Sequence, residues 1–506
     1  MRKHIVFILS LLLFFMSHVK SNAQFPYQST LISENDFTQF SSSKVTFDKY
    51  GATLTPATGS TTRGFYLNDL AFTVDRGFII EFDYLMTGGS GFADGLALVL
   101  FDGVVTSPKM GSDGSGLGYS YKTPGSSSNV GLTKGFLAVG VDLWGAFKYR
   151  RDVGNEYRNG IRKGVSNSTL ENGDPEAKNH ITIRGQAGPN DQAGYPVLIS
   201  QSTTNMESRT MLNFTNGLYD TKPQAPQDTP FSFKLRENTQ GNENDIDASF
   251  GHDSYRRVEI SMLPGKKGNN VDGYYMSVYI VHKNERSRVI NDYFLPNNVE
   301  INYMEAIGSS ESSNQLRSMV MKAPKTFKIG FAASTGGYNQ KHIVRNLSLY
   351  MPFSPSVKDL FVDNVCRDVP IELDVLANSV GFDNNKYNGQ GDIHLLGKEE
   401  FLDTYSFQFR TLVNGLYEDT AQPYIAVTDN GTYEYNPVTH KMIFVPKKGG
   451  VTVNFDQVYF TIRNKEKILE NNVNLGSEQF RSNTATVRLN FGYKCNDVLM
   501  VNGNSI

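Results

Sequence analysis

Apolar residues in this chain recur at every second position far more often than at helical spacing. Three runs show it: Gly77-Phe78-Ile79-Ile80-Glu81-Phe82-Asp83-Tyr84, Tyr255-Arg256-Arg257-Val258-Glu259-Ile260-Ser261-Met262 and Tyr274-Tyr275-Met276-Ser277-Val278-Tyr279-Ile280. A period of two sends successive side chains to opposite faces of a strand, and each run is bounded by Gly, Pro, Asn or Asp, the residues that turn a chain. Glycine (46), tyrosine (26) and phenylalanine (33) supply the turns and the strand-forming aromatics that such a pattern needs. The fold class read from this pattern is all-β.

The chain opens Met1-Arg2-Lys3-His4, runs almost wholly apolar from Ile5 to Met16, and reaches the small-residue ending Ser21-Asn22-Ala23. This is the pattern of a signal peptide, residues 1–23, cleaved before Gln24. The apolar run is too short to cross about 30 Å of hydrocarbon, and no later stretch approaches the roughly 20 apolar residues of a membrane-spanning helix. No cysteine near the cleavage site offers a lipid anchor. The expected location is therefore secreted, at the cell surface or periplasmic. A net charge of −2 with 20% charged residues supplies no basic field for nucleic acid. The two cysteines, Cys366 and Cys495, enter an oxidising compartment, where a single disulfide between them is expected.

Two polar stretches, Ser107 to Val130 and Pro189 to Asp247, are too long for hairpin turns and read as large loops or inserts, the second with a little irregular structure. Met351-Pro352-Phe353-Ser354-Pro355-Ser356 reads as an extended linker, because its prolines remove backbone donors and stiffen the chain. It divides residues 24–350 from a second unit, 357–506, which opens Pro370-Ile371-Glu372-Leu373-Asp374-Val375-Leu376 and closes Thr484-Ala485-Thr486-Val487-Arg488-Leu489-Asn490-Phe491, again alternating. That unit reads as a smaller β-sandwich.

Within the first unit three segments occur in order: Gly91-Phe92-Ala93-Asp94-Gly95-Leu96-Ala97-Leu98-Val99-Leu100, then Gly135-Phe136-Leu137-Ala138-Val139-Gly140-Val141-Asp142-Leu143-Trp144-Gly145-Ala146-Phe147 with Asn179-His180-Ile181-Thr182-Ile183-Arg184-Gly185, and finally Phe327 to Leu349 containing Ser334-Thr335-Gly336-Gly337-Tyr338-Asn339-Gln340. They are preceded by Ala52-Thr53-Leu54-Thr55-Pro56-Ala57 leading to Gly64-Phe65-Tyr66-Leu67. Together, over residues 27 to 350, this resembles the L-type (legume-lectin-like, concanavalin A-like) lectins. The resemblance implies a jelly-roll sandwich that binds glycan or polysaccharide without cleaving it.

It also implies roles. Asp94 would be the sugar-binding carboxylate, preceded by a cis peptide bond and followed by Gly95. A Gly-rich loop around Gly111 to Gly118, with Gly116 at its centre, would donate backbone amides. Trp144 would stack on the sugar or turn its carbonyl to a metal, and Gly337, Tyr338 and Asn339 would help choose the sugar, with Gln340 offering a further hydrogen bond. In plant members a Glu-x-Asp strand, an Asn four residues beyond the Asp, a later Asp and a His hold calcium and a transition metal. Here the matching positions are Gly140, Asp142, Ala146, Asp152 or Asn155, and His180. The metal set carried over is Asp142, Trp144, Asp152 and His180. Loss of the Asn weakens a calcium site that wants six to eight oxygens, and loss of the Glu argues against a transition metal.

The second unit resembles cadherin-like or immunoglobulin-like repeats of bacterial proteins through Ile371 to Asn378 and Gly431-Thr432-Tyr433-Glu434-Tyr435-Asn436-Pro437. Such modules act as spacers or adhesive stalks.

Two other functions compete. A glycoside hydrolase on the same scaffold needs two carboxylates across the scissile bond. The chain has no Glu-x-Asp-x-x-Glu strand; Glu81 and Asp83 share a face, but the run continues Tyr84-Leu85-Met86 without a second Glu. Nucleophile elbows, phosphate loops and His-Glu-x-x-His are also missing. The other rival is an adhesion protein whose lectin-like site is degenerate and binds a cell-surface protein.

Overall fold

A computed structural model describes residues 26–492 and Cys495, apart from 36, 41–43, 69–70, 75–76, 123–129, 150–161, 164–172, 175–177, 221–228, 238–244, 269, 306–314, 353, 383–396, 414–415 and 466–480. The expected leader at 1–23 lies outside these residues, as do Asp152 and Asn155.

The alternating runs fold as the periodicity predicts, into a jelly-roll sandwich. One sheet has ten strands and runs, through its main path, Tyr219–Asp220, Arg209–Leu212, Val197–Ser202, His180–Arg184, Gly135–Asp142, Gly95–Asp102, Thr326–Thr335, Thr61–Leu67 and Phe37–Gln39. Opposite it, Glu285–Pro296, Val271–His282, Arg256–Lys267, Phe78–Ser90 and Asn339–Tyr350 lie side by side. Inward residues of the two sheets meet directly: Phe78 packs on Phe327 at 4.8 Å and Phe82 on Phe331 at 4.9 Å between ring centroids. Leu96, Leu98, Leu100, Val258, Ile260 and Met262 are buried in the same core. Full burial of one such side chain is worth about 1.5–3 kcal/mol, so the layer as a whole is the main cohesive term.

Glu81 and Asp83 point the other way from Ile80 and Phe82, and their partners make them structural. Asp83 accepts from Tyr255 Oη at 3.0 Å, Arg257 Nε at 2.7 Å and Asn346 Nδ2 at 2.7 Å. Glu81 accepts from the Tyr350 hydroxyl.

The two polar stretches turn out better ordered than their composition foretold. Leu117, Tyr119 and Tyr121 are fully buried against Ala97, Val99 and Phe101, covering the outer face of the ten-stranded sheet. Their hydroxyls are satisfied in place, Tyr119 by Gly185 O at 2.9 Å and Tyr121 by Glu305 Oε1 at 2.6 Å. From the second stretch, Val197–Ser202 and Arg209–Leu212 are regular strands of that sheet. Buried Gln201 hides the alternation there, its amide donating to Ser202 O and Ser208 O at 3.0 and 3.2 Å.

A second apolar cluster begins at Val357 and ends at Phe491. Strands Leu402–Val413, Phe455–Asn464, Ala485–Phe491 and Leu360–Val365 face a four-stranded sheet of Ile371–Leu373, Lys441–Pro446, Gly431–Asn436 and Ile425–Val427. Phe407 stacks on Tyr435 across the gap at 3.8 Å. This is the smaller sandwich. Cys366 and Cys495 are joined in a disulfide with Cα atoms 5.5 Å apart, within the usual span of such bridges.

The residues read as a linker are not an exposed spacer. Pro352, Ser354, Pro355 and Ser356 are buried, and Ser356 exchanges both backbone hydrogen bonds with Val380, at 2.8 and 2.9 Å. Among its described residues Pro352 and Ser354 to Ser356 are packed down. No helix among the described residues is long and apolar enough to cross a membrane.

Candidate functional site

The three family-like segments meet because they are neighbouring strands. Gly95–Asp102 lies between Gly135–Asp142 and Thr326–Thr335, with Leu96 opposite Val141 and Gly95 opposite Ser334. In antiparallel neighbours the start of the middle strand lies beside the ends of the outer two. Asp94, the Asp142–Trp144 turn and the Thr335–Tyr338 loop are thus gathered at one end of the sheet.

Asp94 is pinned by its own backbone. Its N–H donates to Ser334 O and its carbonyl accepts from Trp144 N–H, both at 2.9 Å, and the Ala93–Asp94 peptide bond is cis, as the resemblance implied. Its carboxylate oxygens lie 3.8 and 3.9 Å from where a Cβ on Gly336 would stand, while a Cβ on Gly337 would meet nothing within 4 Å. Asp94 as a residue is 8% exposed and its Oδ2 is buried, beside a glycine loop with free space at Gly337.

An aromatic pair lies close to Asp94 and this loop. Trp144 and Tyr338 lie 4.9 Å apart, tilted by 46°; Tyr338 is half exposed and Trp144 partly so. Lys178 Nζ sits 4.3 Å from the Trp144 ring centre. The Tyr338 ring lies over Gly91, where any Cβ would collide with it.

Several expected residues have other work. Gly95 is buried in its strand, with room for no side chain: a Cβ there would lie 2.4 Å from Val141 O. We expect Gly95→Ala to cost about 2–3 kcal/mol through this overpacking, read as a fall in the denaturation midpoint. Gly116 is buried, and its N–H donates to Asp113 O at 3.1 Å. Gly111 and Gly118 donate to Gly118 O and Ser112 O, and Gly114 to Ser334 Oγ. These amides are taken up within the fold, three inside the loop and that of Gly114 by Ser334, so they are not offered to a ligand. Asn339 begins the last strand, bridged to Gly91. Gln340 is fully buried, held by Arg236 Nη1 at 2.7 Å and in contact with His342 Nε2 at 3.0 Å.

The expected metal position is built differently from the plant pattern. Asp142 is buried, and its carboxylate accepts from Gly145 N–H at 2.8 Å and Lys148 N–H at 3.3 Å. Burial pushes this carboxyl up to about 7, against the opposing pull of the Lys148 charge and those two N–H groups. His180 pairs with Asp142 across the strands, but both its ring nitrogens are taken: Nε2 lies 2.7 Å from Lys148 Nζ and Nδ1 3.0 Å from Ser200 Oγ. Burial, with the Lys148 charge, holds the imidazole well below its ordinary pKa, in the neutral form. The Trp144 ring turns to Tyr338. Among the described residues no group of three or more His, Cys, Asp or Glu side chains is placed to hold a metal ion. Asp142 and His180 as they stand, with Gly140 and Ala146 in place of Glu and Asn, do not fit the calcium and transition-metal pair of the plant members, and no step below runs through a metal.

Phe147, Lys148, Arg184 and Arg236 are therefore missing from the residues singled out by sequence. The signal available was the pair of departures at Gly140 and Ala146, which leave space that other side chains must fill. Arg236 lies over the Phe92 ring at 3.9 Å, beside Asp94 in sequence.

No protein-family model and no curated protein matches the chain. Among solved structures it is similar to the VIP36 exoplasmic/lumenal domain in its Ca2+/Man3GlcNAc-bound form, at 10% identity, covering 64% of this chain and 87% of that one with a TM-score of 0.30. A lectin from Bauhinia forficata in complex with GalNAc aligns at 12% identity over 65% and 97%, TM-score 0.31. The Emp46p carbohydrate recognition domain in a potassium-bound form aligns at 10% identity over 64% and 95%, TM-score 0.30. At such TM-scores the reading of the site rests on its own geometry.

Proposed function

We propose that this chain binds glycan, without cleaving it, where Asp94, Trp144 and the Gly336–Asn339 loop meet. The observation that carries the reading is the double backbone anchoring of Asp94, to Ser334 and Trp144, which fixes a carboxylate beside an open glycine loop and a partly exposed aromatic pair. A fixed carboxylate accepts charge-assisted hydrogen bonds from two adjacent sugar hydroxyls. An aromatic face covers the apolar side of a pyranose, and glycines admit the ligand close to the backbone. Each site is weak on its own, and repeated sites or repeated epitopes raise the avidity.

Binding is preferred to hydrolysis for a geometric reason. A hydrolase needs a second carboxylate facing the first at roughly 5–9 Å across the substrate. Asp142 is the acidic neighbour whose charge Asp94 influences, but it is 1% exposed with both oxygens holding backbone N–H groups. In the same reading the leader at 1–23 exports the chain, residues 24–350 form the binding unit, and 357–506 hold it away from a surface.

Removing either aromatic ring should weaken binding without unfolding the sandwich. We expect Tyr338→Ala or Trp144→Ala to lose about tenfold in affinity, the equivalent of one aromatic contact, measured by calorimetry on a glycan first retained in an array. Array retention of the full chain that vanishes in Asp94→Asn is the expected result. An array left empty by the wild type, with a protein partner bound through the same face, would move the reading to the adhesion alternative.

A further inference from the structure

We infer that the site carries its own cation: the Lys148 ammonium, seated against His180 beside Asp142, stands where the lectin resemblance would put bound metal. This rests on the lectin reading for where a metal belongs, and otherwise on the packing alone.

Three positions of the plant pattern, Gly140, Ala146 and His180, are taken up by other contacts. At Gly140, where the plant pattern has Glu, the Phe147 ring occupies the side-chain space, its Cδ1 2.4 Å from where a Cβ would be. At Ala146 the Asn oxygen is replaced by a buried methyl group. An ammonium has donors only, so the 2.7 Å contact from Lys148 Nζ makes His180 Nε2 the acceptor and puts the ring proton on Nδ1, which donates to Ser200 Oγ. Thr182 Oγ1 lies 2.9 Å from the same Ser200 oxygen, completing the network. The lone pair that would bind a metal is spent on the lysine.

Lys148 is fully buried, and a buried charge persists only when paired. Its own N–H bonds Asp142 while its ammonium reaches the residue opposite Asp142 in register. A divalent ion would have to share this space with a positive charge.

What the lysine does is positional. Asp142 holds the turn through Gly145 N–H, and the preceding residue, Trp144, holds the Asp94 carbonyl. Buried Arg184 secures the same turn from the other side, donating to Phe147 O at 2.9 Å and Tyr149 O at 3.1 Å. Lys148 thus sets the turn on which Asp94 and Trp144 depend, as a metal would, without touching a ligand.

The test uses the full chain and no glycan, so that failure to bind sugar and failure of this inference are separate results. Chelator-treated protein is titrated with calcium and then manganese, by calorimetry and by thermal melting. The expected result is no binding isotherm and an unmoved melting midpoint. Stoichiometric binding, or a midpoint raised by either ion, would overturn the inference. Lys148→Met, which keeps the stem and removes the charge, is expected to lower the midpoint by about 10 °C and to shift the emission of Trp144. A variant that melts and emits like the wild type would also overturn it. If the variant does not fold, the wild-type titration decides.

Discussion

Asp94→Ala abolishes measurable glycan binding and leaves the sandwich as stable as before: this is the largest effect expected of any single substitution in the site. Hydrogen bonds to a charged acceptor are worth about 1.5–3 kcal/mol each, and a carboxylate that grips two hydroxyls loses both. The affinity should fall by at least about 100-fold. The sandwich is expected to stay folded because two bonds that Asp94 makes within it, to Ser334 O and from Trp144 N–H, belong to its main chain and survive truncation. The Asp142 carboxyl gains too, since the Asp94 charge is one of the influences that raise its pKa. Calorimetric titration beside a thermal melt reads both effects. An affinity within threefold of the wild type would place the sugar elsewhere.

Cys366→Ser with Cys495→Ser is expected to cost the smaller sandwich about 4–5 kcal/mol. The bridge closes a loop with a sequence separation of 129, and in the chain-entropy account a loop of that size restricts the unfolded chain by this amount. The folded contacts around it remain: Arg367 still donates to Val451 O at 3.1 Å and Cys495 N–H sits at 3.0 Å from Asp368 Oδ1. The loss therefore falls on the unfolded state. Trp144 is the only tryptophan in the chain and lies in the larger sandwich, whose core contains no residue of the bridge. Urea unfolding followed by far-ultraviolet dichroism should show the destabilised transition, with the Trp144 emission transition unmoved. A loss below 1 kcal/mol, or a shift of both signals together, would contradict this assignment.

The fold was legible wherever burial followed a simple period. Phe78 to Tyr84 and Tyr255 to Met262 alternate because one face meets the core, and both are strands. It was illegible where polar groups are buried and hydrogen-bonded, as at the Gln201 NH2 group and the Tyr119 and Tyr121 hydroxyls, since hydrogen bonding permits burial that composition does not announce. The packing of Pro352 and Ser354 to Ser356 was hidden for a related reason: the segment read as an extended linker, yet the backbone of Ser356 is paired.

The site divides in the same way. Asp94, Trp144 and Tyr338, on which the proposed site rests, could be named because they sit in short motifs whose strands are neighbours. Gly116 and Gly95 could be named too, but their tasks, closing a loop and permitting close strand approach, depend on contacts that a motif does not encode. His180 and Asp142 were found as residues, while the cation they face was not. Lys148 lies six residues beyond Asp142 on the same turn, and nothing in its sequence neighbourhood says that its side chain folds inward. Only the missing Glu and Asn side chains at Gly140 and Ala146 pointed to space that needed filling.

Because the chain has one tryptophan, placed beside Asp94, its emission reports on the proposed site alone. The decisive measurement is a titration of the full chain, in chelator, with glycans retained on an array, following Trp144 fluorescence in the wild type and in Asp94→Asn. The account predicts a saturable change in the wild type that is lost in the variant. A glycan that binds without moving Trp144, or that moves it equally in both proteins, would contradict it.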